Sequence, residues 1–213
     1  MVRTRDMATG GIVAALALLG IVSVPELPAE MAVHFDSSGQ PDNYVQAETF
    51  LAGSVLFAAG LAVLFAVLPR LDPLGENIAG FQTVYDGFVV ATLAFVGYVN
   101  GLILAYNLGV EFDMIQATVP AVAALYLLLA VLMRRVEQNW FVGIRTPWTL
   151  SDERVWDRTH RHTAPLFAVA GLVTLAGVVV PEYAVALMTV PILVVSVGSV
   201  LYSLVLYRRL DSA

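Results

Sequence analysis

The stretch "ATVPAVAALYLLLAVLMRR", residues 117–135, decides the class of this protein. Seventeen residues without a charge run straight into two arginines. A bilayer's hydrocarbon core is about 30 Å thick and takes about 20 mostly apolar helical residues to cross, so such a run reads as a transmembrane helix that stops at the headgroups. The same pattern repeats to either side, at 8–24, 49–68, 84–108, 164–180 and 184–207. Barrel strands would alternate apolar and polar residues; these runs are continuous, and in hydrocarbon only a helix pairs all of its own backbone. The composition agrees: 59% of the 213 residues are hydrophobic and 13% charged, against about 25% charged in soluble domains. The expected fold is an all-α polytopic membrane bundle of six transmembrane helices.

Charge sets the orientation. The chain has no lysine, and its eleven arginines sort completely. Arg3 and Arg5 precede the first span and Arg70 follows the second. Arg134, Arg135, Arg145, Arg154, Arg158 and Arg161 lie between the fourth and fifth, and Arg208 and Arg209 follow the sixth. The alternate loops carry Glu26, Glu30, Asp36, Asp42, Glu48, Glu111, Asp113 and Glu182. Basic residues accumulate on the cytoplasmic side, so both termini are expected there, in a multi-pass cell-membrane protein. The N-terminus imitates a secretory signal, but Pro25 after Val22, Ser23 and Val24 obstructs cleavage, and the segment reads as a retained helix. Cysteine is absent, which excludes disulfides and thiolate chemistry. An acidic balance with pI near 4.9 gives the hypothesis of a high-salt habitat, tested by whether stability falls steeply in low salt.

Two loops are long enough to carry a motif. In the outer one, "LPAEMAVHFDSSGQPDNY" from Leu27, Asp and Ser side chains, Gly39 and Pro41 predict a tight turn over Asp36–Asp42. His34, Phe35, Asp36 and Gly39 are the candidate outer-contact residues, against the plainer reading of an imidazole bonded to the turn it precedes. In the inner loop, 134–163, the Trp140, Phe141 and Trp148 rings suit the headgroup level. Thr149 with Asp152 fits a capping pattern, and an amphipathic interfacial helix is expected over Ser151–His162, with Asp157 and Arg161 paired at i, i+4.

Anchoring leaves the identities of Gly143, Thr146, Pro147 and Leu150 unexplained, and these residues carry a resemblance. Asn139, Gly143, Arg145, Thr146, Pro147, Trp148, Thr149, Leu150, Trp156, Thr159 and His160 resemble the signature of the SdpI membrane family. Leu27, Pro28, His34, Phe35, Asp36, Gly39 and Asp42 resemble the domain of unknown function that often precedes it. "HTAP" from His162 departs from the family, which usually has glycine near the start of the next helix. The resemblance implies a six-helix protein giving immunity to, or sensing, a toxic peptide, with signalling to a cytoplasmic transcriptional regulator. It also implies two domains: residues 1–75, two helices and the outer loop, and residues 76–213, four helices and the inner loop. Arg145 and Trp148 are the expected inner contacts and His34 the outer one.

A third feature gives the rival reading. Gln82, Asp86, Asn100 and Asn107 project onto a sector about 60° wide of the third helix. A face this polar belongs inside a bundle, either bonding a neighbouring helix or lining a cavity of a small-molecule or ion transporter. No internal repeat supports a transporter. No hydrolase or nucleotide motif appears, and the protein does not read as an enzyme. On a helix His160 and His162 diverge by about 160°, so no metal is assigned, and neither is any cofactor or catalytic residue. The expected partners are lipid, a toxic peptide and a cytoplasmic regulator, without direct nucleic-acid binding.

Overall fold

The structure, a computed structural model, describes residues 3–211. Its elements run α1 (Thr4–Ser23), β1 (Glu30–Phe35), β2 (Pro41–Gln46), α2 (Ala47–Leu71), α3 (Gly75–Gly80), α4 (Gln82–Asn107), α5 (Met114–Met133), α6 (Pro147–Ser151), α7 (Glu153–Ala176) and α8 (Ala184–Asp211). Single 3₁₀ turns, Val24–Glu26 and Pro181–Tyr183, each opened by a proline, close α1 and open α8. The fold is helical apart from the hairpin β1–β2, which the sequence led us to expect only as an ordered turn.

Five segments among the described residues are long and apolar enough to cross a membrane: Thr4–Glu26, Ala47–Leu71, Gln82–Asn107, Met114–Met133 and Pro181–Leu210. The protein is a multi-pass membrane protein. The expected fifth span does not stand alone. Instead of an interfacial helix over Ser151–His162 followed by a separate span, α7 runs unbroken for 24 residues. His162 and Pro165 do not break it: Asp152 caps its start, accepting from Arg154 N–H at 2.8 Å, and Pro165 lies inside the helix, where it removes one bond without ending it. Its first half holds Glu153, Arg154, Asp157, Arg158 and Arg161, and α7 is accordingly not one of the segments apolar enough along their length to cross.

The chain divides into two compact units, one of residues up to Ala66 with Val89–Ala121, the other of Val67–Phe88 with the residues from Val122 onward. In the first, Met31, Ala47, Ile103 and Leu104 form a buried cluster joined by Leu27, Phe35, Phe50 and Val99. Phe35 meets Tyr106 edge-on with ring centroids 4.8 Å apart. In the second, α7 packs along α8. A Cβ on Gly171 would lie 2.9 Å from Leu127 Cγ and 3.0 Å from the Ala123 carbonyl, so α7 and α5 meet there at glycine distance. Thr174 Oγ1 donates to Leu187 O at 3.0 Å, and the Tyr126 hydroxyl to Met188 O at 3.0 Å, closing polar groups between helices.

Candidate functional site

The inner loop is irregular apart from α6, yet most of its polar atoms are buried and bonded. Asn139, fully buried, is its hub. Its Oδ1 accepts from the N–H groups of Phe141 (2.9 Å) and Val142 (2.7 Å), and its Nδ2 donates to the carbonyls of Glu137 (2.8 Å) and Val142 (3.0 Å). Both amide protons and the carbonyl oxygen are satisfied, which neither Asp nor Leu could reproduce. Gly143 follows at φ +114°, where a Cβ would sit 2.6 Å from His160 Nε2 and 3.1 Å from the Trp156 ring. Glycine is required there twice over, by backbone conformation and by space.

His160 closes the loop onto α7. Its Nε2 accepts from Ile144 N–H at 2.8 Å, which puts the ring proton on Nδ1, and Nδ1 donates to Trp156 O at 2.8 Å. Burial pushes this imidazole down to a pKa of about 4, so it is neutral at physiological pH, as the bond from Ile144 requires. Trp156 stacks on it at 4.1 Å and donates its indole N–H to Val136 O at 3.1 Å. Both nitrogens of His160 are engaged, and His162 donates separately to Arg158 O, so the two histidines do not converge on an ion.

The capping differs from the sequence reading. Thr146, not Thr149, caps: its Oγ1 accepts from Thr149 N–H while Thr149 Oγ1 accepts from Thr146 N–H, and this reciprocal box starts α6 with Pro147 at its first position. Thr149 Oγ1 also donates to Ile144 O at 2.9 Å. Trp148 donates its indole N–H to Ser203 Oγ on α8 at 2.6 Å, and Gln138 Nε2 reaches the carbonyls of Thr149 and Leu150. The expected Asp157–Arg161 pair is not formed; among the described residues Arg154 instead forks onto Asp152, Nη2 to Oδ2 2.8 Å. Thr159 is fully buried, and its hydroxyl has no hydrogen-bond partner among the described residues.

Two further fixings come from outside the loop, from Asp72 and Asn77. Asp72 accepts from Trp140 N–H (2.9 Å) and Leu74 N–H (2.8 Å), and Asn77 donates to Gln138 O at 2.7 Å. Sequence reasoning took "LPRLDPLGENIAGFQ" only for its helix-breaking residues and passed over both, as it passed over Ser203. The Asp-Pro turn signal at Asp72 was visible; the partner at Trp140, 68 positions on, was not.

Of the eleven signature residues, Asn139, Thr146, Thr149, Trp156, Thr159 and His160 are buried, and Gly143, Trp148 and Leu150 half-buried. Arg145 and Pro147 are the exposed ones. Arg145 Nη1 donates to the Trp140 backbone carbonyl at 3.1 Å, and both residues are exposed.

The outer residues form a different arrangement. Asp36 accepts from the Ser38 hydroxyl (2.6 Å), Ser38 N–H (2.8 Å) and Gln40 N–H (3.0 Å), and these bonds hold its carboxyl below the usual range. Gly39 takes φ +78° in the turn. His34 Nδ1 meets Asp42 Oδ1 at 2.5 Å across the hairpin, exposed on both sides, so His34 is bonded to the turn region it precedes. Phe35 packs inward and His34 outward. On α4, Gln82 Nε2 donates to Asp86 at 2.7 Å, and Asn100 Nδ2 to its own helix at Val96 O, 2.8 Å. Asn107 accepts from Ala32 N–H (2.8 Å) and donates to Ala32 O (2.9 Å).

The frame, α7 and most of α8 coincide with a known sequence family. Residues 135–206 match the SdpI/YfhL protein family. Residues 11–58 match a domain of unknown function, DUF1648, covering the hairpin. The chain is 35% identical over 82 residues to Immunity protein SdpI of Bacillus subtilis (strain 168), a match covering 38% of this chain and 40% of that relative. No solved structure matches the chain. The SdpI segment includes both ends of the Trp148–Ser203 bond, while Asp72 and Asn77 lie outside it.

Proposed function

We propose that this protein is an SdpI-like membrane protein that gives immunity to a toxic peptide or senses it, and whose inner frame docks a cytoplasmic regulator. The observation that carries the reading is the coincidence of the SdpI match at 135–206 with the frame built on Asn139, Gly143 and His160. A loop with this many buried, paired polar groups holds one conformation, and what it presents is Arg145 beside Trp140. Exposed arginine and tryptophan are residues that protein interfaces favour. The N-terminal domain, residues 1–75, supplies the outer hairpin, and residues 76–213 the four-helix part with the frame.

The reading takes α7 as a sixth crossing. At 1.5 Å per residue its 24 residues measure about 36 Å, with Glu153–His162 at the cytoplasmic face and the apolar half in the bilayer. Six crossings put Arg3, Arg5, Arg208 and Arg209 on one side, as the arginine distribution asks. The absence of cysteine makes this directly measurable: Ser38→Cys is expected to react with an impermeant maleimide on intact cells, and Ser151→Cys only after permeabilisation. The transporter reading draws less support, because Asn100 and Asn107 already bond backbone groups.

The functional test is complementation. In Bacillus subtilis deprived of its own Immunity protein SdpI, expression of this chain should restore survival, and Arg145→Ala should remove the regulator from a pull-down while leaving the membrane protein intact. Full membrane insertion with no gain in survival would count against immunity.

A further inference from the structure

The hairpin has one edge covered and one edge bare. Ala47 N–H donates to Ala29 O at 3.0 Å, so positions 29 and 47 form a hydrogen-bonded pair of the ladder. The register places Glu30 opposite Gln46, Met31 opposite Val45 and Ala32 opposite Tyr44. In an antiparallel ladder bonded and non-bonded pairs alternate, so Ala32 and Tyr44 turn their N–H and C=O groups away from each other, as do Glu30 and Gln46. On β1 the outward peptide groups of Ala32 are met by the Asn107 carboxamide, which accepts from the N–H and donates to the C=O as a further strand would. On β2 the outward groups of Tyr44 and the outward N–H of Gln46 meet no hydrogen-bond partner among the described residues, while the Gln46 carbonyl serves as the first acceptor of α2, and Asp42, Asn43, Tyr44 and Gln46 are all exposed. Bare sheet edges are templates for an added strand, and proteins that do not use them block them with lysine or proline. Between Ala32 and Phe35 bulges shift the register, and Pro41 closes the strand; between them the Tyr44–Gln46 edge is left unblocked.

The charge around that edge selects the occupant. Glu30, Asp42 and Glu48 stand exposed on or beside the hairpin, with Glu26, Glu111 and Asp113 exposed in the same compact unit. No lysine or arginine occurs between Asp6 and Pro69, nor from Val89 to Ala121.

We propose that the Tyr44–Gln46 edge of β2 is the docking surface for an extended cationic peptide, which adds to the hairpin as a third strand. Backbone pairing supplies the binding and the surrounding carboxylates select for positive charge. This deepens the immunity reading, since it names where and in what conformation the peptide meets the protein, and it rests on that reading only for the peptide's biological source.

The test uses the full chain in detergent micelles with a ten-residue synthetic peptide of alternating valine and lysine. Addition of the peptide should slow amide exchange at Tyr44 and Gln46 at least tenfold, and the same peptide N-methylated at alternate amides should have no effect. Tyr44→Pro removes an N–H that the hairpin itself does not use, so Met31 and Val45 should keep their protection while peptide affinity falls at least tenfold. A valine–glutamate peptide should bind at least tenfold more weakly. No slowing at saturating peptide, equal binding by the Tyr44→Pro protein, or protection that rises with protein concentration without peptide would overturn the proposal, the last by showing a second copy on the edge. Survival in the complementation assay is read separately: protection retained by Tyr44→Pro ends the edge proposal and leaves immunity standing, whereas peptide binding without protection does the reverse.

Discussion

The outer hairpin and the inner frame both connect long apolar helices, and they treat their polar groups in opposite ways. In the frame the organising amide, hydroxyl and imidazole groups are turned inward: Asn139 organises four backbone groups, His160 two and the Thr146–Thr149 pair its own turn. The hairpin keeps Asn107 on one side and leaves the N–H groups of Tyr44 and Gln46 unpaired on the other. The difference teaches that a recurring signature marks what must be buried, not what is touched. A partner reaching the frame would meet Arg145, Pro147 and Trp140, two of the eleven signature residues and one neighbour.

Substitutions in the two regions should therefore differ sharply in kind. The largest effect belongs to Gly143→Val, which places a branched side chain at φ +114° against His160 and Trp156. Backbone strain and overpacking each cost about 1–3 kcal/mol, and thermal unfolding in detergent should show a loss of about 3 kcal/mol or more. Next is Asn139→Ala, which leaves buried backbone N–H groups of Phe141 and Val142 without an acceptor. At about 1–3 kcal/mol for each unsatisfied group, denaturant titration should register about 2–4 kcal/mol after relaxation. A frame that tolerated both would not be the closed structure described.

Acid probes the frame through one residue. His160 has its pKa depressed to about 4 by burial, so the unfolded chain binds a proton near the ordinary value of 6.5 while the folded chain does not. The stabilisation is fully present above about pH 6.5 and is lost as pH falls toward 4, on the order of 3 kcal/mol in all. Unfolding measured from pH 7 to 4 should show this decline in the wild type, and His160→Gln should flatten it. The smallest effect is expected at the hairpin: His34→Ala removes one exposed contact to Asp42 and should change stability by no more than about 1 kcal/mol.

Much of the fold was legible because hydrophobic run length is a local property. The five crossings fall close to the runs marked in the sequence. The fifth run failed as a separate element because nothing local says whether a polar helix beside an apolar run continues into it; Asp152 starts α7, which runs on through Pro165. The hairpin was seen as a turn at Asp36–Asp42 but not as strands, since β1 and β2 are six residues each and acquire their pattern from Asn107, far along the chain. In the frame, Gly143 and Asn139 were recognised by resemblance, while the reason for each appeared only when His160 and the 141–142 backbone were placed against them. Capping was misread because Thr149 and Asp152 fit the pattern, whereas Thr149 completes the box that Thr146 opens for α6 and Asp152 is itself the cap of α7.

The measurement that tests this contrast most directly is residue-resolved amide hydrogen exchange on the purified protein in detergent, without any added peptide. The N–H groups of Phe141, Val142, Ile144, Thr146 and Thr149 should be strongly protected although the segment is mostly irregular, and those of Tyr44 and Gln46 should exchange near the open-chain rate. Equal rates in the two regions, or a frame that exchanges as fast as the hairpin edge, would contradict the account of a closed inner frame and a bare outer edge.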